Sequence, residues 1–272
     1  MALKKKDIIE TIKKTGLEKK CVCLHSSFKS FGPVDGGPET VIEAFLESGC
    51  TLITPSFSFG YIVFPPENLR PKRNGADYGH MPWLTPGLNT IYNPASNEID
   101  IKEMGIIPET LLGTKGRVRG NHPLCSFTAY GPYASEIIKA QEPLDVLAPL
   151  RELALFEGFV VLAGVGINKM TALHLAEQMA GRKMFLRWAN GPDKKPMYAE
   201  AGGCSEGFLN LDPYINHLDK KEKCGESPWR IFPTNKLLKQ AARVIQLKPE
   251  ITHCKEAKCL RCNDAAAGGT EV

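Results

Sequence analysis

The stretch from Cys21 to Pro55 constrains the fold more than any other. Cys21–His25 is a short apolar run that reads as a buried strand, and a polar, glycine-rich turn follows over 26–37. Pro38 stands at a first helical position, Glu39–Glu47 carries the helix to Gly49, and Thr51–Thr54 forms a second strand closed by Pro55. Strand, turn, helix, strand in that order is a βαβ unit, and such units build parallel or mixed sheets. The expected fold class is therefore α/β, with a mixed, largely parallel central sheet and helices on both faces.

The remaining pattern extends that sheet. A helix over 4–15 precedes the unit and stops at Gly16. Helices are expected near Pro108, from Pro132, over Pro149–Phe156, from about Lys169 to Met179, and over Asn235–Ile245. Strands are expected over Cys125–Tyr130, Phe159–Ala163, Met184–Trp188 and Met197–Ala201. Residues 55–98 differ, because prolines at 55, 65, 66, 71, 82, 86 and 94 break any long period. A loop of that length inside a compact domain is usually functional, here a lid or one wall of a pocket. The reading is one α/β domain over 1–250 carrying this proline-rich insert, then a tail over 251–272, cysteine-rich at first and disordered after Cys262.

Composition narrows the function. No run of about 18 apolar residues suits a membrane helix, and the basic start MALKKKDIIE lacks the apolar core of a secretory signal. Nine cysteines, an odd number in a chain of 272 residues, fit free thiols in a reducing, cytoplasmic compartment. Scattered lysines with no arginine-rich, aromatic-interleaved patch argue against nucleic acid. The net charge of +4 weakly repels a polycation at long range unless local carboxylates focus the field.

Several residues could carry chemistry. His174 lies near the start of a helix that follows a buried strand, where ligands of open α/β sheets collect. Thr171, His174, Glu177 and Gln178 share one polar stripe of that helix. His174 is either a general base, with Glu177, Glu200 or Glu206 fixing its tautomer, or a solvent-facing or capping histidine. His122, extended by Pro123, either lines a pocket or hydrogen-bonds its own turn. The turn Ser26–Gly37 is either a phosphate cradle, built from hydroxyls, backbone N–H groups and a helix start, or an ordinary turn.

Two short matches carry nothing. Ser26-Ser27-Phe28-Lys29 after Lys14-Thr15-Gly16 is the reverse of the order in serine β-lactamases and lacks their S-D-N. Gly164-Val165-Gly166 lacks the third glycine of a dinucleotide fingerprint. At the C-terminus, His253, Cys254, Cys259 and Cys262 could hold zinc, with Cys224 a further ligand, or they are reduced thiols on a mobile tail.

Taken together the motifs resemble the aminoglycoside 3-N-acetyltransferase family. Leu24 through Gly32 with Gly36-Gly37 is similar to its N-terminal signature, and Gly49 through Pro55 to its second strand. Met104-Gly105-Ile106-Ile107-Pro108-Glu109 follows, then Arg119 with His122-Pro123 and Ser126-Phe127. Gly164-Val165-Gly166 with Thr171, His174-Leu175-Ala176-Glu177, and Gly202 through Phe208 complete the order. Ala148-Pro149-Leu150 stands where the family has Ser-Pro-Leu, and Gly120-Asn121 where it often has a serine.

The resemblance implies a fold distinct from the GNAT acetyltransferases, acetyl-CoA as co-substrate, and an amine acceptor of the aminoglycoside antibiotic type. It implies His174 as the catalytic base, with Glu206 preferred to Glu177 as its carboxylate. Ser26, Ser27, Lys29, Ser30 and Phe31, with Ser126 and Thr128, are then the cofactor-binding residues. Tyr78, His122, Thr171 and Glu177 are the substrate-binding ones, and Ser126 or Thr171 supplies the oxyanion donor. Transfer is expected to be direct, with Cys125 beside His122 leaving an acetyl-enzyme route open. Alternatives are a metabolite amine as acceptor, favoured by the net charge, or a metal-stabilised binding protein without catalysis. A homodimer stays open.

Overall fold

The computed structural model describes residues 2–81 and 90–272. In chain order α1 spans Lys5–Thr15, β1 Cys21–Ser26, α2 Gly37–Glu47 and β2 Thr51–Pro55. Next come α3 over Ile101–Met104, α4 over Ile106–Gly113, β3 over Val118–Arg119 and β4 over Phe127–Tyr130. The middle holds α5 (Ala134–Ile138), α6 (Ala148–Leu155), β5 (Phe159–Ala163) and α7 (Ala172–Met179). β6 (Phe185–Asn190), β7 (Pro196–Ala201), α8 (Asp212–Ile215), β8 (Lys220–Cys224), β9 (Ser227–Pro233), α9 (Thr234–Leu247) and α10 (Leu260–Ala266) complete the chain.

Seven strands form one mixed sheet in the order β3-β4-β2-β1-β5-β9-β8. Its centre, β2-β1-β5, is parallel, with Val22 opposite both Leu52 and Phe159. The flanking pairs are antiparallel. Alternation along β1 feeds two cores. Val22 and Leu24 pack with α1, α2 and α4, while Cys21 and Cys23 face α5, α6, α7 and α9. Helices thus cover both faces, as the βαβ pattern predicts. In the first core Trp229 stacks on Phe45 at 5.9 Å and meets Phe31 edge-on at 6.2 Å. Truncating such a buried tryptophan costs about 3–5 kcal/mol.

Sequence patterning misses β8 and β9. Lys220-Lys221-Glu222-Lys223 reads as a solvated run, yet it is the edge strand, where lysines keep another chain from pairing. The insert over 55–98 contains only 3₁₀ turns, Phe59–Tyr61 and Glu67–Leu69, among the described residues. Its Pro82 and Pro86 lie outside them. Isolated bridges join Ile62 to Ala189 and Ile91 to Asn190, so the insert leans on the ribbon β6-β7.

The expectation of a disordered end after Cys262 is corrected. α10 runs to Ala266, and the last residues dock: Thr270 Oγ1 donates to Asn74 Oδ1 (2.8 Å) and Arg73 Nε to Gly269 O (2.8 Å). A Cβ on Gly269 would lie 2.0 Å from Lys183 O, so the small residues that read as disorder permit a close fit. No helix among the described residues is long and apolar enough to cross a membrane.

Candidate active site

β5 ends at Ala163, and the chain turns through Gly164 at φ 71°. A Cβ there would meet Ser30 Oγ at 2.0 Å, so glycine lets the Ser-rich turn and this one touch. A 3₁₀ turn over Ile167–Lys169 then leads to Thr171 and α7. Leu173 and Ala176 enter the core, which rotates His174 and Glu177 onto one side, three residues apart. That side is covered rather than solvated: His174 is 8% exposed and Glu177 7%, which removes the solvent-facing reading.

Glu177 divides its two oxygens. Oε2 lies 2.8 Å from His174 Nδ1. Oε1 accepts from Arg182 Nη1 (2.5 Å) and from Thr252 Oγ1 (3.1 Å). Arg182 also donates to Pro249 O, tying this chain to the segment after α9. With Nδ1 donating to a carboxylate, the Nε2 lone pair is the free one. The edge of the ring carrying Nε2 faces Gly202, where a Cβ would come within 2.6 Å of Nε2. Phe208 closes the other approach edge-on, ring centres 4.8 Å apart.

His174 opens on a cavity of about 1040 Å³. The insert supplies Phe57, Phe59 and Gly60 to one wall, and Met170, Thr171 and Gly203 stand opposite. A shallower groove of about 560 Å³, walled by Ser27, Lys29 and Lys102, shares Ser26, Glu103 and Met104 with it. Through those shared residues the two adjoin, with two lysines lining one part of the channel and the imidazole the other. Ser26 Oγ, buried at their junction, has no protein partner. Charged groups along the cavity are Asp100 and Glu103 against Lys169, Arg187 and Arg261. Burial pulls Arg187 down to about 10, which leaves it cationic at neutral pH, and holds His25 near 4, which leaves it neutral.

Several sequence expectations need correction. Glu206 does not reach His174; its carboxylate accepts from Asn168 Nδ2 at the surface (3.1 and 3.3 Å). Glu177 takes the place beside the ring, and with both oxygens engaged internally it has none to offer a substrate. Ser30 is spent on Ser27 O within its turn and on Ser227 Oγ of β9, and Phe31 is core. Ser126 accepts from Arg119 Nε and donates to Ser56 O beneath the wall, while Thr128 is buried inside β4. Tyr78 sits behind the cavity against Trp188, its hydroxyl accepting from Asn74 Nδ2. His122 is fully buried, its Nδ1 accepting from the backbone N–H of Leu124 and Cys125 (3.2 and 2.8 Å). Ser26, Ser27, Lys29 and Thr171 do line the channel.

Sequence reading misses His25, Asp100, Glu103, Arg187 and Arg261 as channel residues. Only His25, inside a quoted motif, and Glu103, beside one, had a local signal. The metal set also changes. His253 turns away to Cys254 O and Asn263 Oδ1, and Cys224 is buried at the far edge of the sheet. Cys204 joins Cys254, Cys259 and Cys262 instead, all four Sγ atoms lying within 4.8 Å of one another.

A buried imidazole–carboxylate pair opening on a long channel, on a mixed sheet, is the layout of an enzyme that removes a proton from a bound nucleophile. Residues 23–246 match the family described as aminoglycoside 3-N-acetyltransferase. The SPbeta prophage-derived aminoglycoside N(3')-acetyltransferase-like protein YokD of Bacillus subtilis (strain 168) is 32% identical over 257 residues, 84% of this chain and 87% of that one. Aminoglycoside N(3)-acetyltransferase IV of Salmonella sp is 31% identical over 231 residues, 80% of this chain and 77% of that one. Among solved structures, the apoenzyme of aminoglycoside acetyltransferase AAC(3)-IVa superposes with a TM-score of 0.77 at 26% identity, covering 98% of each chain. The chain belongs to the aminoglycoside 3-N-acetyltransferase family, whose members are acyltransferases and not GNAT proteins.

Proposed function

We propose that the protein transfers the acetyl group of acetyl-CoA directly to an amine of an aminoglycoside-type acceptor, with His174 as general base. The observation that carries this is a cavity-lining imidazole whose Nδ1 is held by Glu177, which leaves Nε2 as the nitrogen free to accept a proton. An ammonium cannot attack a thioester. Nε2 takes the proton as the amine nitrogen bonds to the acetyl carbonyl carbon, and Glu177 gives the developing imidazolium a counter-ion. Collapse of the tetrahedral intermediate breaks the C–S bond, and the imidazolium returns the proton to the departing thiolate, so the enzyme ends unchanged. Thr171, lining the cavity beside the ring, is our assignment for the hydroxyl that meets the oxyanion. Lys29 and Lys102, with Ser26 and Ser27, suit the phosphate end of the CoA, with its pantetheine arm laid along the shared residues toward the cavity.

The acetyl-enzyme route loses support. Cys125 lines the cavity, but burial pushes its thiol up to about 12, so it carries no thiolate to act as nucleophile. One observation favours a second acceptor class: three cations against two carboxylates among the described charged residues of the cavity. That balance suits an amine that also bears an anionic group better than a polycation.

The test is acetyl transfer to a panel of amines, read as CoA release. His174→Ala is expected to lower kcat by about 10²–10⁴ while calorimetry still shows acetyl-CoA binding. Retention of activity within a few-fold, or a stable acetylated protein on mixing with acetyl-CoA alone, would overturn the mechanism. A kcat/KM higher for anionic amines than for aminoglycosides would select the second acceptor class.

A further inference from the structure

We propose that Cys204, Cys254, Cys259 and Cys262 form a tetrathiolate site for one structural zinc ion, which locks the segment after α9 against the wall of the active site. This goes beyond the acetyl-transfer reading and does not rest on it.

The geometry fits a four-coordinate ion. Tetrahedral Zn–S bonds of about 2.3 Å separate neighbouring sulfurs by about 3.8 Å, and here every pair of Sγ atoms lies within 4.8 Å. Closing that gap requires side-chain rotation of under about 1 Å per sulfur, within what these partly buried cysteines allow. Backbone donors are already aimed at sulfur: the N–H of Cys254 points at Cys262 Sγ at 3.4 Å. Such N–H···S bonds orient and stabilise metal-bound thiolates. Cys259 and Cys262 sit with two residues between them at the opening of α10, a spacing that structural zinc sites share. Four soft sulfur ligands with no carboxylate or imidazole among them select zinc over the harder divalent ions. Binding converts four thiols to thiolates, with four protons released per Zn²⁺ taken up.

The location gives the site its purpose. Residues 255–258, Lys-Glu-Ala-Lys, are exposed and bury no apolar anchor. Yet two residues before Cys254, Thr252 holds Glu177, and Pro249 O receives Arg182. Two residues before Cys204, Gly202 faces the Nε2 edge of the His174 ring. Asn210 Nδ2 donates to Ile251 O and His253 O (both 3.1 Å), which fixes the same strap from the other side. One ion bound to both segments therefore sets the distance between the backbone facing His174 Nε2 and the hydroxyl that holds its carboxylate.

The full chain, expressed with zinc and purified under reducing conditions, is analysed by elemental mass spectrometry. About one equivalent of zinc per chain is expected. Cys204→Ser and Cys259→Ser should each bring it below about a tenth of an equivalent, and His253→Ala should leave it unchanged. Cobalt put in its place should show intense thiolate-to-metal charge transfer with the visible bands of a tetrahedral sulfur site. Chelator-stripped protein should exchange amide hydrogens faster over 249–270 while the central sheet keeps its protection. Unmodified protein with less than about a tenth of an equivalent of any metal overturns the site, and so does full zinc in Cys204→Ser. An equivalent of iron instead overturns the choice of zinc. Loss of four hydrogens in the intact mass, marking two disulfides in the protein as purified, also overturns it. The metal count on unmodified protein decides the matter even if a variant fails to fold.

Discussion

Two histidines with similar prominence in the sequence meet opposite fates at the start of α7 and in the turn before β4. At the first, Nδ1 of His174 faces a carboxylate and the ring lines a cavity. At the second, Nδ1 of His122 accepts two backbone N–H groups and the whole ring is shut in. The partner at Nδ1 decides the difference. A carboxylate makes Nδ1 a donor and frees Nε2 to accept a proton, whereas backbone donors make Nδ1 an acceptor and hold the ring neutral. Burial accordingly keeps His122 down near 4. One ring is the base in the mechanism we propose, and the other is a peg for its turn.

Breaking the carboxylate side of this contrast has the largest expected effect. In Glu177→Gln the amide can present N–H to Nδ1, which favours the wrong tautomer and should lower kcat by about 10³–10⁴. The same change leaves Arg182 buried without its counter-ion and should cost about 3–5 kcal/mol of stability by denaturant unfolding. A drop in stability with kcat intact would reduce Glu177 to a structural role.

Gly202→Ala sharpens the other side by pressing on Nε2. Its Cβ would meet the ring at 2.6 Å, so the imidazole must move. The expected result is a fall in kcat of about 10²-fold with the fold retained. An unchanged kcat would mean that the ring has a second productive position.

The inert histidine predicts an acid signature. His25 and His122 titrate near 6.5 when unfolded and near 4 when buried, so between those values the unfolded chain binds more protons. Stability held above pH 6.5 is therefore lost as pH falls toward 4, by about 2 kcal/mol per imidazole at pH 5. His122→Asn should remove about half of that loss between pH 7 and 5, read from denaturant midpoints. An unaltered slope would show that other groups set the acid sensitivity. The smallest effect belongs to Glu206→Gln at the surface, within about 0.5 kcal/mol of the parent stability and with kcat unchanged. A large loss of kcat there would reopen the choice between the two carboxylates.

Much of this was legible in the chain. The βαβ order placed β1, α2 and β2, and the apolar run Phe159–Ala163 placed β5, because strand and helix periods are written locally. The three-residue spacing brought His174 and Glu177 onto one side of α7 for the same reason. Choosing Glu206 went wrong because a sequence holds no distances: its loop directs that carboxylate to Asn168. The edge strand β8 and its neighbour β9 were hidden by charge and proline, whose meaning depends on which strand lies beside them.

Local periodicity by itself determined the layered sheet and the neighbourhood of the base. Tertiary structure alone decided what surrounds that base. Arg182 and Thr252 on Glu177, Arg187 and Arg261 in the cavity, and Cys204 among the tail thiols all join residues through the path of the backbone. Helical and strand periods relate residues a few positions apart, whereas the two contacts on Glu177 span 5 and 75 positions, where only packing of the finished fold sets who meets whom.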